Sequence, residues 1–447
     1  MVVTNLSVSN NVRGAVKCIY LLLCLFVLVT CAPAPNLTLT PTLYMNQKYP
    51  AEAIPKQLQT TQPKLYFVTD RFLADEWTNR EPYSSERSPS MALGEVTMSI
   101  GKNKNWDELV NSSNTVNRKD DYQLNIIDAD EIIRFPSTPL PFTVVNGQIK
   151  PVIYPGYKVY QKRKKQFKEI LADLLTQANG KEVVLFVHGY KDEFEDAAYS
   201  LANLWHFSGR IGVPIFFSWP AGAGGLFGYL KDRESGEYAV YHLKETLRFI
   251  ADTPGLEKVH IIAHSRGTDI VTTAMRELII ETRAAGQSAR KKYKIENLIL
   301  AAPDLDFGVA RQRLIAERFG PAFGQINVYM NQNDSALKLA QRTMTGNRFG
   351  RLSPDDLENI DKRIFANLQN VHFIDIENVN SSVGHDYFVS NPGVLSDIAL
   401  TLQTSVRPGG KARPLLHISG NFWRLSKFYP YDFPIAENAS DIKEHKR

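Results

Sequence analysis

The stretch 259-VHIIAHSRGTDIV-271 decides how this chain is read. Apolar residues run up to Ala263, Ser265 stands between His264 and Arg266, and Gly267 opens a run at helical spacing. A serine in front of a helix is most often its cap. On a sharp strand-to-helix turn it is a nucleophile instead, and such a turn needs small residues two before and two after the serine. Ala263 and Gly267 meet that size rule, with alanine where the usual pattern has glycine. The neighbouring sequence therefore has to supply a strand before, a helix after, and chemical partners elsewhere.

Working outward, apolar strands recur as "EVVLFV" from 182, "VPIFFSW" from 213, "KVHIIA" from 258, "IENLILA" from 295, "QINVYM" from 325 and "VHFIDI" from 371. Amphipathic helices alternate with them; one carries Phe194, Ala197, Ala198, Leu201, Leu204 and Trp205 on a single face. This alternation predicts an α/β fold with a mostly parallel central sheet covered on both faces. Before it, "KLYFVTDR" from 64 and "LGEVTMSIG" from 93 read as short strands at the N-terminal edge, and residues 102–150 as a polar, loop-rich segment. The expected domain spans 61–404, and 405–447 reads as a peripheral extension in which Phe422, Trp423 and Phe428 point to some packing.

Composition sets the class. Hydrophobic residues make up 43% and charged residues 22% of 447, which is ordinary for a globular protein. The net charge of +5 falls to about +3 without Arg13 and Lys17, too balanced for a nucleic-acid partner. All three cysteines, Cys18, Cys24 and Cys31, lie in the first 31 residues, so the folded part has no disulfide, thiolate metal site or cysteine nucleophile. Arg13 and Lys17 precede the 13-residue apolar run "CIYLLLCLFVLVT", the length of a signal-peptide core and short for a membrane span. It ends in "LVTC", like a bacterial lipobox with Thr30 at a position that usually holds a smaller residue. Residues 1–31 are therefore expected to be a leader lipidated at Cys31, with an uncleaved anchor or ordinary cleavage as the other readings. Residues 32–60, rich in Pro, Thr and Gln, read as an extended linker. A membrane-anchored protein outside the cytoplasm, in a bacterial cell envelope, is expected.

Ligand sites in such sheets lie beyond the carboxyl ends of the strands. A serine nucleophile needs a histidine base and an acid to orient it, in the chain order serine, acid, histidine. His372 sits at the amino end of its strand, while His417 and His445 fall in the extension. His385, in "SSVGHDYF" past the last core strand, has the right pole and the right order. For the acid, Asp334 beyond "QINVYM" is favoured, with Asp304 beyond "IENLILA" as the alternative. Their bland readings are a helix cap and a turn residue. The oxyanion donors are expected to be the backbone N–H groups of Arg266, directly after the serine, and Tyr190, in "HGY" after an early strand. His188 precedes the nucleophile and reads as a structural residue of that loop. "GAGGLFG" from 222 has Phe227 in the third glycine position of a dinucleotide motif and reads as a loop bordering the pocket. No metal-binding histidine pair at helical spacing occurs, and no cofactor is expected.

Together "YFVTDR", "VLFVHGYKDEFEDA", "IFFSWPAGAG", "DRESGEYA", "HIIAHSRGTDIV", "LAAPDLDFGVA" and "GHDYFVSNPGVLSD" resemble a bacterial α/β-hydrolase family catalogued as a domain of unknown function. The resemblance covers about residues 64–400. It implies the α/β-hydrolase fold, with Ser265 and His385 at the family's serine and histidine positions, and members often expected to be exported or lipid-anchored. The function expected is therefore a serine hydrolase, esterase- or lipase-like, acting on a small-molecule or lipid ester. The same machinery serves a thioesterase, amidase or acyltransferase, and a catalytically inactive envelope binding protein would keep the fold alone.

Overall fold

The structure, a computed structural model, describes residues 35–75, 82–115, 118, 120–222, 225–344, 346–376, 384–426 and 429–431. The leader with Cys31 lies outside them, as do Phe428 and His445. Strands β1 (Lys64–Leu73), β2 (Tyr83–Ile100), β3 (Leu124–Arg134), β4 (Phe142–Val145), β5 (Gln148–Pro151), β6 (Asn179–Val187) and β7 (Ile211–Ser218) come first. Then follow β8 (Lys258–His264), β9 (Ile295–Ala301), β10 (Gln325–Met330), β11 (Val371–Asp375), β12 (Leu416–Ser419) and β13 (Phe422–Arg424). The described helices of eight residues or more are α1 (Trp106–Ser113), α2 (Pro155–Gln177), α3 (Phe194–Phe207), α4 (Gly225–Ala251), α5 (Gly267–Ala284), α6 (Ser335–Thr343), α7 (Asn359–Asn367) and α8 (Pro392–Thr404).

Eleven strands form one sheet in the order β12-β13-β11-β10-β9-β8-β6-β7-β1-β2-β3, with β4 and β5 as a separate hairpin. From β13 to β1 every neighbouring pair is parallel; β2, β3 and β12 add antiparallel edges. The period of two along a strand feeds two cores. Val183, Leu185 and Val187 of β6 join α2, α4 and α5 on one face, while Val184 and Phe186 join α3 and α8 on the other. Each strand is apolar on both sides because helices cover both sides, as the unbroken runs in the sequence indicated.

Three sequence expectations change. Residues 36–60 are no extended linker: they include three 3₁₀ turns, Thr42–Met45, Ala51–Ala53 and Lys56–Leu58, and Leu37, Leu43, Tyr44, Tyr49 and Ile54 along this stretch are buried in the second core. Residues 102–150 contain α1, the long strand β3 and the β4–β5 hairpin, and none of them lines the cavity at Ser265. Residues 405–426 of the extension are structural, not peripheral. Arg413 is fully buried and forks onto Asp397 at 2.8 and 2.7 Å, and β13 pairs in parallel with β11.

Candidate active site

Five strands of this sheet present a sequence-singled residue just past their carboxyl ends: Tyr190 after β6, Ser265 after β8, Asp304 after β9, Asp334 after β10 and His385 after β11. The turn from β8 to α5 puts Ser265 at φ +49°, the left-handed region that a residue with a side chain enters at a cost of about 1–3 kcal/mol. Surrounding hydrogen bonds hold it there. Ser265 N–H donates to the Ala301 carbonyl at 2.9 Å, and its own carbonyl accepts from Thr268 N–H, Thr268 Oγ1 and Asp304 N–H. Gly267 allows the crossing, because a Cβ there would lie 2.3 Å from the His188 carbonyl oxygen and 2.7 Å from that of Val187. Ala263, buried between Val187 and Leu300 on the neighbouring strands, fits the other small position.

From that turn Ser265 Oγ–H donates to His385 Nε2 at 2.6 Å, and His385 Nδ1–H donates to Asp334 Oδ2 at 2.7 Å. A carboxylate only accepts, which fixes the tautomer. Asp334 is 1% exposed, and its other oxygen accepts from Leu337 N–H at 2.9 Å, capping α6. Cap and charge partner are thus the same side chain. Burial opposes the charge of both groups. The contact outweighs it, so His385 titrates above its ordinary value and Asp334 below. Asp304 goes elsewhere: its Oδ2 accepts from Tyr229 Oη at 2.7 Å, and Arg348 Nη1 stands 3.5 Å from Oδ1. Of the two candidate acids, the structure brings Asp334 to His385.

The loop after β6 is wired to its surroundings by His188, read from the sequence as structural, and by Asp192, Arg71 and His264, to which the sequence reading gave no role. Gly189 N–H donates to Asp192 Oδ2 at 2.8 Å, and a Cβ at Gly189 would come within 3.0 Å of the elbow atoms His264 Nδ1 and Ser265 Cβ. The buried Arg71 donates to the Asp192 carbonyl, the Ala221 carbonyl and Ser218 Oγ, clamping this loop to the end of β7; burial brings its pKa down to about 10. His188 stacks on Trp219 and accepts from Trp219 N–H through Nε2 at 3.1 Å. Burial, with the Arg71 charge, pushes its pKa down to about 3, so His188 is a neutral structural residue. His264 donates from Nε2 to the His385 carbonyl at 3.1 Å and stacks on Phe388 at 4.4 Å, which ties the elbow to the histidine loop. Lone polar residues beside a motif carry no periodic signal, and only their place within the quoted motifs marks them.

Ser265 and His385 open on a cavity of about 310 Å³. Ala336, Leu337, Leu339 and Ala340 of α6 form an apolar wall, and Tyr190, Tyr229 and Asp304 line it as well. "GAGGLFG" runs into the start of α4, whose Tyr229 provides that border; residues 223–224 lie outside the described residues. Among the described residues no cluster of His, Cys, Asp or Glu could hold a metal ion.

A nucleophile-type elbow on a mostly parallel, doubly covered sheet, with a histidine and an acid after later strands, defines an α/β hydrolase. The sequence profile of a family described as "Alpha/beta hydrolase of unknown function (DUF900)" matches residues 163–404, more than half of the chain, and the chain belongs to that family. Solved structures similar to it include a predicted CIB-like hydrolase from Thermoplasma acidophilum, 14% identical, covering 49% of this chain and 84% of that one at a TM-score of 0.27. An esterase from Pyrobaculum calidifontis is 12% identical over 55% and 92% of the two chains, with a TM-score of 0.27. The carboxylesterase CesB (YbfK) from Bacillus subtilis is 11% identical over 55% and 99%, with a TM-score of 0.24. No curated protein matches the chain.

Proposed function

We propose that the protein is a serine hydrolase that cleaves esters, with Ser265 as nucleophile, His385 as base and Asp334 as its orienting acid. The observation that carries this reading is the unbroken hydrogen-bond chain Ser265–His385–Asp334, starting from a left-handed elbow and opening on a cavity. As Oγ attacks the ester carbonyl carbon, its proton passes to His385 Nε2 and the carbonyl π pair moves to oxygen. The backbone N–H groups of Tyr190 and Arg266 receive that oxyanion. The C–O bond to the alcohol then breaks and His385 returns the proton to the leaving oxygen. Water repeats the cycle on the acyl-serine, releasing the acid. Asp334 keeps Nδ1–H directed and stabilises the imidazolium.

An ester with an apolar acyl chain suits the α6 wall. The N-terminal run of residues 18–30 and Cys31 support attachment to a membrane outside the cytoplasm. Turnover of p-nitrophenyl esters of graded chain length tests the reading. The wild type is expected to hydrolyse them and Ser265→Ala to lose about 10⁴-fold or more. Hydrolysis that survives Ser265→Ala overturns it, and a folded wild type that hydrolyses none points to a binding protein.

A further inference from the structure

The connection from β3 to α2 combines two signals that the catalytic site does not use. From Ile132 to Lys168 the chain holds no Asp or Glu and eight Arg and Lys residues, so this segment carries +8 while the whole chain carries +5. Within it the β4–β5 hairpin forms a sheet of its own. Val144 lies opposite Ile149 and Phe142 opposite Pro151, which puts all four on one face of the ribbon. Phe142 is 62% exposed, Val144 60% and Ile149 73%. A two-stranded hairpin is marginal in water on its own, and this one turns an apolar face to the outside.

The charges beside it are partly engaged. Arg134 pairs with Glu131, Lys165 with Glu169 at 3.4 Å, and Lys164 stands 4.0 Å from Asp252. Lys150 on the hairpin, with Lys158 and Lys162 one turn apart on α2, is exposed, as both of those are. None of these three lysines has an ion partner among the described residues.

Strand register places the hairpin at the catalytic pole. Arg134, the last residue of β3, is level with Ala92, Thr69 and Ser218, the last residue of β7. One row earlier Phe217, Val187 and Ala263 align, and Ser265 lies two residues past Ala263. The chain leaving β3 therefore enters the hairpin at the edge where Ser265 opens. It returns from there into α2, whose far end feeds the start of β6. Other exposed apolar side chains stand at this edge: Phe72 near the end of β1, Phe227 in the first turn of α4, and Leu339 on the cavity wall.

We infer that this pole docks on an anionic lipid bilayer. Phe142, Val144 and Ile149 enter the boundary between headgroups and acyl chains, while Lys150, Lys158 and Lys162 lie at the lipid phosphates. The mouth at Ser265 then opens towards the same bilayer. Apolar insertion and cationic attraction add in such a contact, each lysine near an anionic surface contributing roughly fivefold in affinity. Salt screens the second contribution, so the contact is reversible and orients the chain rather than anchoring it. The docking surface stands apart from the hydrolase reading, because lipid contact and not turnover reads it out.

The test places a tryptophan on this face of the full chain, Ile149→Trp, with Ile280→Trp as control. Ile280 is exposed near the far end of α5, at the opposite pole. Each is mixed with vesicles of ether-linked lipids, which an esterase does not cleave, containing a nitroxide-labelled lipid as quencher. The vesicles are phosphatidylcholine alone, or equal parts of phosphatidylcholine and phosphatidylglycerol. Relative to the wild type, emission from Ile149→Trp is expected to shift blue and be quenched on the anionic vesicles. It should recover at high salt and change far less on phosphatidylcholine, while Ile280→Trp stays unquenched on both. Adding Lys150→Gln, Lys158→Gln and Lys162→Gln should weaken the association about 100-fold. Equal quenching at the two sites, equal quenching on the two vesicles, or none in Ile149→Trp overturns the inference. Dimerisation that Ile149→Ser abolishes, without lipid contact, assigns the face to a second copy and also overturns it. Flotation of the unsubstituted chain should show the same preference for anionic vesicles, and no preference there overturns the inference whatever the variants do.

Discussion

Gly267→Ala is the sharpest mechanical perturbation of the elbow. The added Cβ would lie 2.3 Å from the His188 carbonyl oxygen, about 1 Å inside ordinary contact. Neither side yields cheaply, because the obstructing atoms are backbone of β6 and of the loop that follows it. Relief has to separate α5 from that loop, at about 1–3 kcal/mol for overpacking in a closed core. The same shift moves Ser265 away from the Tyr190 N–H, and a displacement near 1 Å at a reacting centre costs on the order of 10²-fold in rate. Urea unfolding gives the stability change, and kcat/KM on p-nitrophenyl butyrate gives the rate. Gly410→Ala is the control, since nothing lies within 4 Å of its Cβ, and it is expected to match the wild type in both. A Gly267→Ala protein with wild-type stability and wild-type kcat/KM refutes the argument that this close crossing sets the site.

Other outcomes follow from the same geometry. Asp334→Asn is expected to lower kcat/KM on a plain ester by about 10³–10⁴-fold, far more than Asp304→Asn; the reverse order reassigns the acid. The base works neutral, so wild-type activity should fall with acid through a pKa above the ordinary imidazole value, because Asp334 raises it. In Asp334→Asn the strongest contact opposing burial is lost and only the Asp304 and Asp192 charges still act against it, so the acid limb should move to lower pH; an unmoved limb counts against the pair. His188, His206 and His372 are buried with depressed pKa values, so the unfolded chain takes up protons first and stability is lost as pH falls below about 6.5. Together they should remove roughly 2–3 kcal/mol between pH 6.5 and 5.5, and urea unfolding that shows no loss contradicts this. Cys31→Ser is expected to move the protein from the membrane to the soluble fraction; continued membrane binding refutes lipid anchoring.

The legible parts of the sequence were those with repeated patterns. Strands β6 to β11 are buried on both faces, so their apolar runs stand out, and the residues after them could be ranked by pole and chain order. Ser265, His385 and Asp334 come together in the structure from that reasoning. Edge elements were less legible. Strand β3 has a partner on one side only and carries Asp128 and Asp130 to the outside, so it reads as a loop. Residues 36–60 bury five apolar side chains at irregular spacing, and their prolines suggest a linker. Arg413 is a single charge whose partner Asp397 lies on α8, a tertiary pairing that no local pattern announces. Asp192, Arg71 and His264 act through contacts of this kind, and their roles emerge only when the loops are brought together.

The central claim is that Ser265 is an activated nucleophile. Purified wild-type protein incubated with a fluorophosphonate probe and analysed by intact mass and peptide mapping tests it most directly. The account predicts one adduct per chain, on the peptide containing Ser265, with none in Ser265→Ala and sharply slower labelling in His385→Ala. Labelling that persists in Ser265→Ala, or a folded wild type that takes up no probe, contradicts it.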